Sequence, residues 1–281
     1  MSIKPNRGIP IRSSSSSRVR VAASNYLNTA PLIWKFVRAR KPADVELIDA
    51  TPAGCADALL SGAADVALVP VIEYQRQAEL RIVDDVCVGS KRKVRSVVLV
   101  SRLKELRQVR SVALDESSRT SAALVKIIFR EFMDAEPEWT TARPDVQTML
   151  RENDAALIIG DPAMTFRRAG LQIFDLAALW RYYTGLGFVF AMWMTRPEST
   201  LAASQIDFRA AREEGLARLE EIIDSYHSAL GLPRSEIKSY LTEDISFYLD
   251  KEMRAGLELY YRLAHKHGLV PVVSPLKSLS A

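Results

Sequence analysis

Four hydroxyl side chains and one arginine stand together in the chain at Ser117, Ser118, Arg119, Thr120 and Ser121. A stretch with apolar residues at helical spacing follows them, so they mark the beginning of a predicted helix. Hydroxyls, a guanidinium and the free N–H groups of a helix N-terminus bind anions, because the helix dipole favours negative charge there. A simple helix cap is the alternative, but a cap uses one hydroxyl. We therefore predict that residues 118–121 bind an anionic group of a small molecule.

A similar polar pair, Asn28-Thr29, precedes the first predicted helix of the chain, which has Pro31 in its first turn. Proline costs little there, because the N–H groups of the first turn have no helical partner. The pair either contacts a ligand or only caps the helix, and the spacing alone leaves both interpretations open.

Three further positions could carry chemistry, and each has a structural alternative. Thr184-Gly185 begins a glycine-bearing turn before a strand, which permits close approach of a ligand or simply a tight turn. Asp161 follows a strand-like run, where its carboxylate either faces a ligand or caps the next helix. Glu73 also follows a strand and is either an acid in the site or a solvated residue at a helix start.

The elements that must position these residues follow a repeating pattern. Short apolar runs over residues 19–23, 45–50 and 64–70 alternate with helical patterns, which predicts a parallel sheet with right-handed crossovers. A long strand over residues 94–101 is predicted to leave this unit, and the pattern restarts near residue 102. A strand over residues 188–194 is predicted to return to the first unit.

The restart and the return predict an inserted lobe that two crossing segments join to the first lobe. The first lobe would comprise residues 18–101 and 190–281, and the second residues 102–189, with residues 1–17 as a disordered tail. Paired crossings form a hinge, and a hinge places a ligand in the cleft between lobes. The expected fold class is therefore α/β, with two lobes and a cleft between them.

Bulk composition limits the classes of function. The 281 residues include 38 basic and 34 acidic side chains, which are interleaved, so no nucleic-acid partner is expected. The two cysteines form no CxxC pair, and no metal site is predicted. No P-loop, dinucleotide fingerprint or Ser-His-Asp order occurs, so nucleotide chemistry and triad hydrolysis lack support and no cofactor is expected.

Hydropathy argues against a membrane partner. The first 18 residues lack the apolar core of a secretory signal, and no later run reaches the ~20 apolar residues of a membrane span. We therefore expect a cytoplasmic protein that binds a small anionic molecule, and the sequence leaves its oligomeric state open.

Six segments of the chain stand out together: SNYLNTAPL (24–32), VPVIEY (69–74), RSVVLVS (95–101), LDESSRTSAAL (114–124), IIGDPAM (158–164) and DLAALWRYYTGLGFVFAMW (175–193). In this order they resemble the chorismate dehydratase family of menaquinone biosynthesis, the first enzymes of the futalosine pathway. The resemblance covers roughly residues 18–270. The combination of SRTS with the TG and FVFA elements is specific to this family, although each fragment alone is a weak signal.

The resemblance implies a fold similar to type II periplasmic binding proteins and the loss of water from chorismate to give 3-[(1-carboxyvinyl)oxy]benzoate. It implies catalytic roles for Asn28 and Ser96, and substrate contacts from residues 118–121 and from Thr184-Gly185. Gly187 departs from the family pattern, which usually has proline before FVFA.

The identity of the base stays open, because these motifs contain no histidine or lysine. Glu73 or Asp161 would accept the proton, or a carboxylate of the substrate itself would, and the last hypothesis is favoured. A non-catalytic binding protein for small carboxylates and the related 1,4-dihydroxy-6-naphthoate synthase are the alternative functions, since a fold alone does not determine an activity.

Overall fold

The computed structural model describes residues 18–38, 45–77 and 79–279, so the predicted tail over residues 1–17 lies outside the described residues. Within this part of the chain the strands are β1 (Val19–Ala23), β2 (Val45–Asp49), β3 (Val66–Pro70), β4 (Arg81–Ser90), β5 (Val97–Ser101), β6 (Ser111–Asp115), β7 (Glu138–Ala142), β8 (Ala155–Ile159), β9 (Gln172–Asp175) and β10 (Phe188–Thr195).

The α-helices in the same residues are α1 (Ala30–Arg38), α2 (Pro52–Leu60), α3 (Glu73–Arg76), α4 (Thr120–Ile127), α5 (Val146–Glu152), α6 (Gly160–Thr165), α7 (Leu176–Thr184), α8 (Thr200–Ala203), α9 (Phe208–Ala217), α10 (Leu219–Leu230), α11 (Arg234–Ser239) and α12 (Lys251–Lys266). Wider π-helical turns continue α4 over Ile128–Phe132 and α11 over Tyr240–Asp244. Short 3₁₀ turns occupy Leu106–Gln108 and Pro197–Ser199.

The first sheet has the strand order β2-β1-β3-β10-β4. β1 pairs in parallel with β2 and β3, whereas β10 is antiparallel to β3 and β4. All five residues of β3 are buried, as expected for a central strand that is covered on both faces. The parallel pairing agrees with the β-α-β pattern of the sequence.

The second sheet repeats this arrangement with the order β7-β6-β8-β5-β9. β6 is parallel to β7 and β8, and β5 is antiparallel to β8 and β9. In each sheet the first strand of the unit lies between the second and the third, and a strand from another part of the chain comes fourth. We call each sheet with the helices packed on it a lobe, and the predicted two-lobed α/β fold is confirmed.

The chain passes from the first sheet to the second between Ser90 and Val97. β5 pairs with β8 in a register that sets Val97 opposite Ile159, whereas the predicted division left residues up to 101 in the first lobe. β5 is buried along its whole length, and it acquires neighbours on both edges only between β8 and β9. This segment is therefore a strand of the second sheet.

The crossing between β4 and β5 is anchored by side chains of later segments. Arg95 has a left-handed backbone with φ of 55°, and its guanidinium pairs with the buried Asp244. The N–H groups of Val94 and Arg95 both donate to one carboxylate oxygen of Asp175, at 2.9 and 2.7 Å. A non-glycine residue in this region costs about 1–3 kcal/mol, and these contacts offset that cost.

The C-terminal helix α12 contacts both lobes. Its Tyr261 hydroxyl donates to the carbonyl oxygen of Val71 in the first lobe, at 2.9 Å. The neighbouring Tyr260 hydroxyl donates to the carbonyl oxygen of Thr120 in the second lobe, at 3.0 Å. The two lobes are therefore joined by α12 as well as by the two crossing segments. In the described part of the chain, no helix has the length and apolarity needed to cross a bilayer.

Candidate functional site

A cleft between the lobes contains two of the predicted polar clusters. The empty space of the cleft, counted together with the solvent at its open mouth, is about 530 Å³. Asn28 and Thr29 line it from the first lobe, and residues 118–121 line it from the second. The start of α1 and the start of α4 thus face the same space, although they are about ninety positions apart in the chain.

The polar loop before α4 is held by one buried carboxylate. Asp115, which is 1% exposed, accepts the backbone N–H and the hydroxyl of Ser117 at 2.9 and 2.6 Å. Its other oxygen accepts the N–H of Ile159 at 3.3 Å. Burial raises the pKa of the Asp115 carboxyl above its ordinary value, and the bonds from Ser117 and Ile159 oppose that shift. This carboxylate therefore joins the loop at Ser117 to the end of β8 at Ile159, next to the residues that line the cleft.

The helix-cap interpretation of residues 118–121 fails. Arg119 occupies the N-cap position of α4, and no side chain caps the helix. Among the described residues, the hydroxyls of Ser118 and Ser121 have no protein hydrogen-bond partner. The N–H groups of the first helical turn have no helical acceptor either. Two hydroxyls and these amides therefore remain available to an anion.

Thr120 and Arg119 are partly occupied by contacts across the cleft. The Thr120 hydroxyl accepts the N–H of Ile72 at 3.3 Å. The Arg119 guanidinium lies 2.6 Å from a carboxylate oxygen of Asp57 and 3.4 Å from one of Glu73. These contacts join the second lobe to the first at one rim of the cleft.

The wall on the first lobe presents an amide. Thr29 donates its hydroxyl to the side-chain oxygen of Asn28 at 3.1 Å, and Ser24 lies 3.3 Å from the Thr29 hydroxyl. The amide nitrogen of Asn28 has no acceptor among the described residues, so it is free to donate to a ligand. Tyr26 also lines the cleft. Burial raises the pKa of the Tyr26 phenol, which keeps it neutral and able to donate.

The rest of the cleft is apolar, and no motif of the sequence predicted this part of the site. Six of the residues that form it belong to strands, and each lies within three residues of a strand end: Leu68, Pro70, Val88, Val97, Ile159 and Phe190. Parallel strands end at a common edge, where ligands of α/β sheets bind. That rule was the signal that could have identified these residues. Polar groups at two helix starts with apolar sides between them suit a ring that carries acidic substituents.

Ser96, predicted to be catalytic, does not line this cleft, although its neighbour Val97 does. Its side chain is 1% exposed and accepts the hydroxyl proton of Tyr240 at 2.6 Å. Burial raises the pKa of Tyr240, so the phenol remains a donor. Ser96 therefore lies behind the wall of the cleft, where its hydroxyl is held by Tyr240.

Asp161 and Glu73, the two candidate acids, also lie outside the lining. Asp161 accepts the N–H of Leu27 at 2.9 Å, and burial raises its pKa to about 6. Glu73 is 3% exposed and bridges two guanidinium groups, Arg76 at 2.8 Å and Arg119 at 3.4 Å. Both carboxylates are thus bound by protein groups, and neither residue lines the cleft.

Thr184 and Gly185 end α7 and do not reach the cleft. Gly185 adopts φ of 72° at the C-cap position, a conformation that glycine accepts without steric cost. The Thr184 hydroxyl donates back to the carbonyl oxygen of Trp180 at 2.7 Å. Gly187, which follows them, approaches α12 closely, since a Cβ there would lie 2.9 Å from a side-chain carbon of Met253. The glycine-bearing turn therefore serves packing, in agreement with its structural alternative.

Groups of metal-binding residues are missing from the described part of the chain, where no three His, Cys, Asp or Glu side chains come together. Cys55 and Cys87 are buried and unpaired. The polar groups that line the cleft are hydroxyls, an amide and a guanidinium, which bind anions rather than cations.

Solved structures share this fold at low sequence identity. A protein from Archaeoglobus fulgidus is 18% identical with a TM-score of 0.72, covering 92% of this chain and 100% of that chain. The periplasmic aliphatic sulphonate binding protein of Escherichia coli is 17% identical with a TM-score of 0.59, covering 92% and 93%. The alkanesulfonate-binding protein of Xanthomonas axonopodis pv. citri, bound to MOPS, is 13% identical with a TM-score of 0.63, covering 92% and 96%. The fold is therefore that of the periplasmic-binding-protein-like class.

Sequence comparison narrows this class. A family model described as menaquinone biosynthesis matches residues 19–266, and the chain belongs to this menaquinone biosynthesis family. A chorismate dehydratase of Thermus thermophilus is 30% identical over 254 residues, which cover 84% of this chain and 91% of that protein. The family expected from the six sequence segments is thereby confirmed.

Proposed function

We propose that this protein is a chorismate dehydratase, which removes water from chorismate to give 3-[(1-carboxyvinyl)oxy]benzoate. One observation supports this proposal above the others: Asn28 and the unpartnered hydroxyls of Ser118 and Ser121 line one cleft from opposite lobes. The relative from Thermus thermophilus carries the same activity in its name. A substrate with two carboxylates, such as chorismate, agrees with the anion-binding groups that line the cleft.

The shape of chorismate matches the distribution of polar and apolar groups. Chorismate is a six-membered ring with one carboxylate on the ring and another on the enolpyruvyl ether. In the proposed complex, Ser118, Ser121 and the first-turn amides of α4 hold one carboxylate by charge-assisted hydrogen bonds. The ring packs between Phe190 and Ile159, and Asn28 donates to the opposite side of the substrate.

The reaction needs stabilisation of developing negative charge more than a strong nucleophile. The hydrogen on the ether-bearing carbon leaves as a proton, and its electron pair becomes part of the new aromatic ring. The neighbouring carbon–oxygen bond breaks, and the hydroxyl departs with the proton as water. Because the ether-bearing carbon is bonded to the carbon–carbon double bond that is conjugated with the ring carboxylate, charge spreads onto that carboxylate during proton loss. Hydroxyl and amide donors preorganised around it lower the barrier.

The proposed base is a carboxylate of the substrate. Glu73 is buried between two guanidinium groups, and Asp161 is bonded to a backbone N–H. Neither lines the cleft, so either would have to break existing bonds to reach the ether-bearing carbon. A bound carboxylate of chorismate is already next to the reacting centre. Asn28 would then orient the leaving hydroxyl, a contribution of positioning.

Incubation of purified protein with chorismate tests the proposal, with the aromatic product followed by ultraviolet absorbance and chromatography. We expect complete conversion to one new benzoate. Binding of chorismate without turnover would identify a non-catalytic binding protein instead. If chorismate neither binds nor reacts, the alternative naphthoate synthase activity is supported and the proposal is wrong.

A further inference from the structure

Asp161 makes a hydrogen bond between the lobes that neither the reaction nor substrate binding explains. It lies at the start of α6 in the second lobe, directly after β8. Its carboxylate accepts the N–H of Leu27, which is 134 positions away in the chain, at 2.9 Å. Leu27 directly precedes Asn28 in the turn that leads into α1. The bond therefore ends on the backbone next to the cleft amide.

Close packing surrounds this bond. Gly160 has φ of 65°, and a Cβ at this position would lie 2.6 Å from the ring of Tyr26. The N–H of Gly160 also donates to the carbonyl oxygen of Ser96 at 2.8 Å. A larger residue at position 160 would push Asp161 away from Leu27. The Gly160-Asp161 corner and the Tyr26-Leu27 turn are thus fitted to each other across the two lobes.

The same turn is held from the first lobe by different contacts. The N–H of Asn25 donates to a carboxylate oxygen of Asp49 at 3.1 Å, and the Tyr226 hydroxyl donates to the side-chain oxygen of Asn25 at 2.9 Å. These contacts belong to one side of the turn and do not require the second lobe. The bond from Leu27 to Asp161 requires the lobes to be together.

We propose that Asp161 is a positioning residue, which fixes the Leu27-Asn28 backbone through the Leu27 N–H when the lobes close on the substrate. The role assigned to Asn28 rests on the proposed dehydratase function, whereas the bond between the lobes does not. Three tyrosines interact electrostatically with Asp161: Tyr26, Tyr226 and Tyr240. All three are neutral phenols, because burial raises the pKa of each. The bond needs an oxygen acceptor on residue 161 and no exchangeable proton.

A pair of substitutions separates positioning from acid–base catalysis. Asp161→Asn keeps an acceptor oxygen of the same reach, and we expect its kcat on chorismate to stay within about threefold of wild type. Asp161→Ala removes the acceptor, and kcat should fall about 30- to 100-fold while KM changes less, as for a misplaced catalytic group. If Asp161→Asn loses as much activity as Asp161→Ala, or if Asp161→Ala keeps wild-type kcat, the proposal is wrong.

Asp145→Ala is the matched control. Asp145 caps α5 in the same lobe by accepting the N–H of Thr148 at 2.7 Å, a bond of the same kind that does not cross the cleft. Its variant should keep wild-type kcat, so a general effect of losing an aspartate that accepts a backbone N–H is excluded. Should Asp161→Ala not fold, Asp161→Ser provides the second variant, because its shorter side chain falls short of the Leu27 N–H.

Hydrogen exchange at the Leu27 amide tests the bond without reference to activity. We expect exchange to accelerate at least tenfold in Asp161→Ala and to stay near the wild-type rate in Asp161→Asn and Asp145→Ala. If wild-type protein does not turn over chorismate, the proposed function fails, and this measurement still decides the role of Asp161. Unchanged exchange in Asp161→Ala would contradict the proposal.

Discussion

The two lobes share a strand order but present different chemistry at corresponding helix starts. In the first lobe, β1 leads to α1, and the hydroxyls of Ser24 and Thr29 are engaged with each other and with Asn28. In the second lobe, β6 leads to α4, and the hydroxyls of Ser118 and Ser121 are without protein partners among the described residues. The start of α1 in the first lobe therefore presents the single free amide of Asn28, and the start of α4 in the second lobe presents hydroxyls that can bind an anion.

This difference teaches that the scaffold determines where a ligand binds, whereas the local side chains determine what each wall does. The first lobe would orient the reacting part of the substrate, and the second would hold its charge. The two roles predict different kinetic signatures when the side chains of each lobe are replaced.

The largest effect is expected from the second lobe. Ser118→Ala combined with Ser121→Ala removes both free hydroxyls, and we expect kcat/KM for chorismate to fall about 10³-fold, with KM raised, because donors to developing charge are lost. Steady-state kinetics on chorismate provide the measurement. Ser228→Ala, at an exposed position on α10, is the control and should behave as wild type. Unaltered KM in the double variant would contradict the assignment of charge binding to this lobe.

A smaller and different effect is expected from the first lobe. Asn28→Ala should lower kcat about 10²-fold and leave KM within a few-fold, since orientation of the reacting group is lost while the carboxylate contacts remain. The test is the same kinetic assay with KM and kcat determined separately. An increase in KM without loss of kcat would reverse the proposed division between the lobes.

A third experiment examines the rim where the lobes meet through Glu73. Glu73→Gln keeps the shape of the side chain but removes the negative charge between Arg76 and Arg119. We expect the free energy of unfolding to fall by about 2 kcal/mol, because two guanidinium groups lose their buried partner. Urea denaturation measures this value. Glu214→Gln, in the more exposed pair that Glu214 of α9 makes with Lys35 of α1 at 3.6 Å, should change stability by less than about 0.5 kcal/mol.

The smallest effect concerns pH and the other junction between the lobes. The pKa of Asp161 is raised to about 6 in the folded protein, so the folded state binds more protons than the unfolded state between about pH 4 and 6. Stability from this group is therefore present at low pH and lost as the pH rises through that window. We expect wild type to lose about 1–2 kcal/mol relative to Asp161→Asn between pH 4 and 7.

Unfolding of both proteins across this pH range supplies the measurement. Other buried carboxylates with raised pKa, such as Asp115 and Asp175, are present in both proteins and cancel in the difference. Parallel stability curves for the two proteins would show that Asp161 is not perturbed.

The sequence predicted the fold class because its strong signals are local. Buried strands such as β3 and β8 are continuous apolar runs, and the helices between them have regular spacing. The strands β7 and β9 were missed, since both lie at sheet edges and carry partly exposed, polar residues. Membership of β5 in the second sheet depends on pairing partners more than fifty positions away, which no local pattern contains.

The candidate site was predictable at Asn28 and residues 118–121. Both motifs stand at the start of a helix, and this position is what brings them to the cleft. It was not predictable for Asp161, Glu73 and Ser96, because their partners come from distant segments. The position of a residue directly after a strand indicates the correct edge of the sheet. It does not indicate whether the side chain is already bonded to another residue of the protein.

The position of β10 in the first sheet has a consequence for synthesis of the chain on the ribosome. Every strand of the second sheet lies within residues 97–175, whereas the first sheet lacks its fourth strand until residues 188–195 have emerged. The lobe that begins first is therefore completed last. We expect released chains that end at residue 187 to be protected from proteolysis over residues 97–175 and cleaved within residues 19–90. Equal protection of both regions would contradict this order.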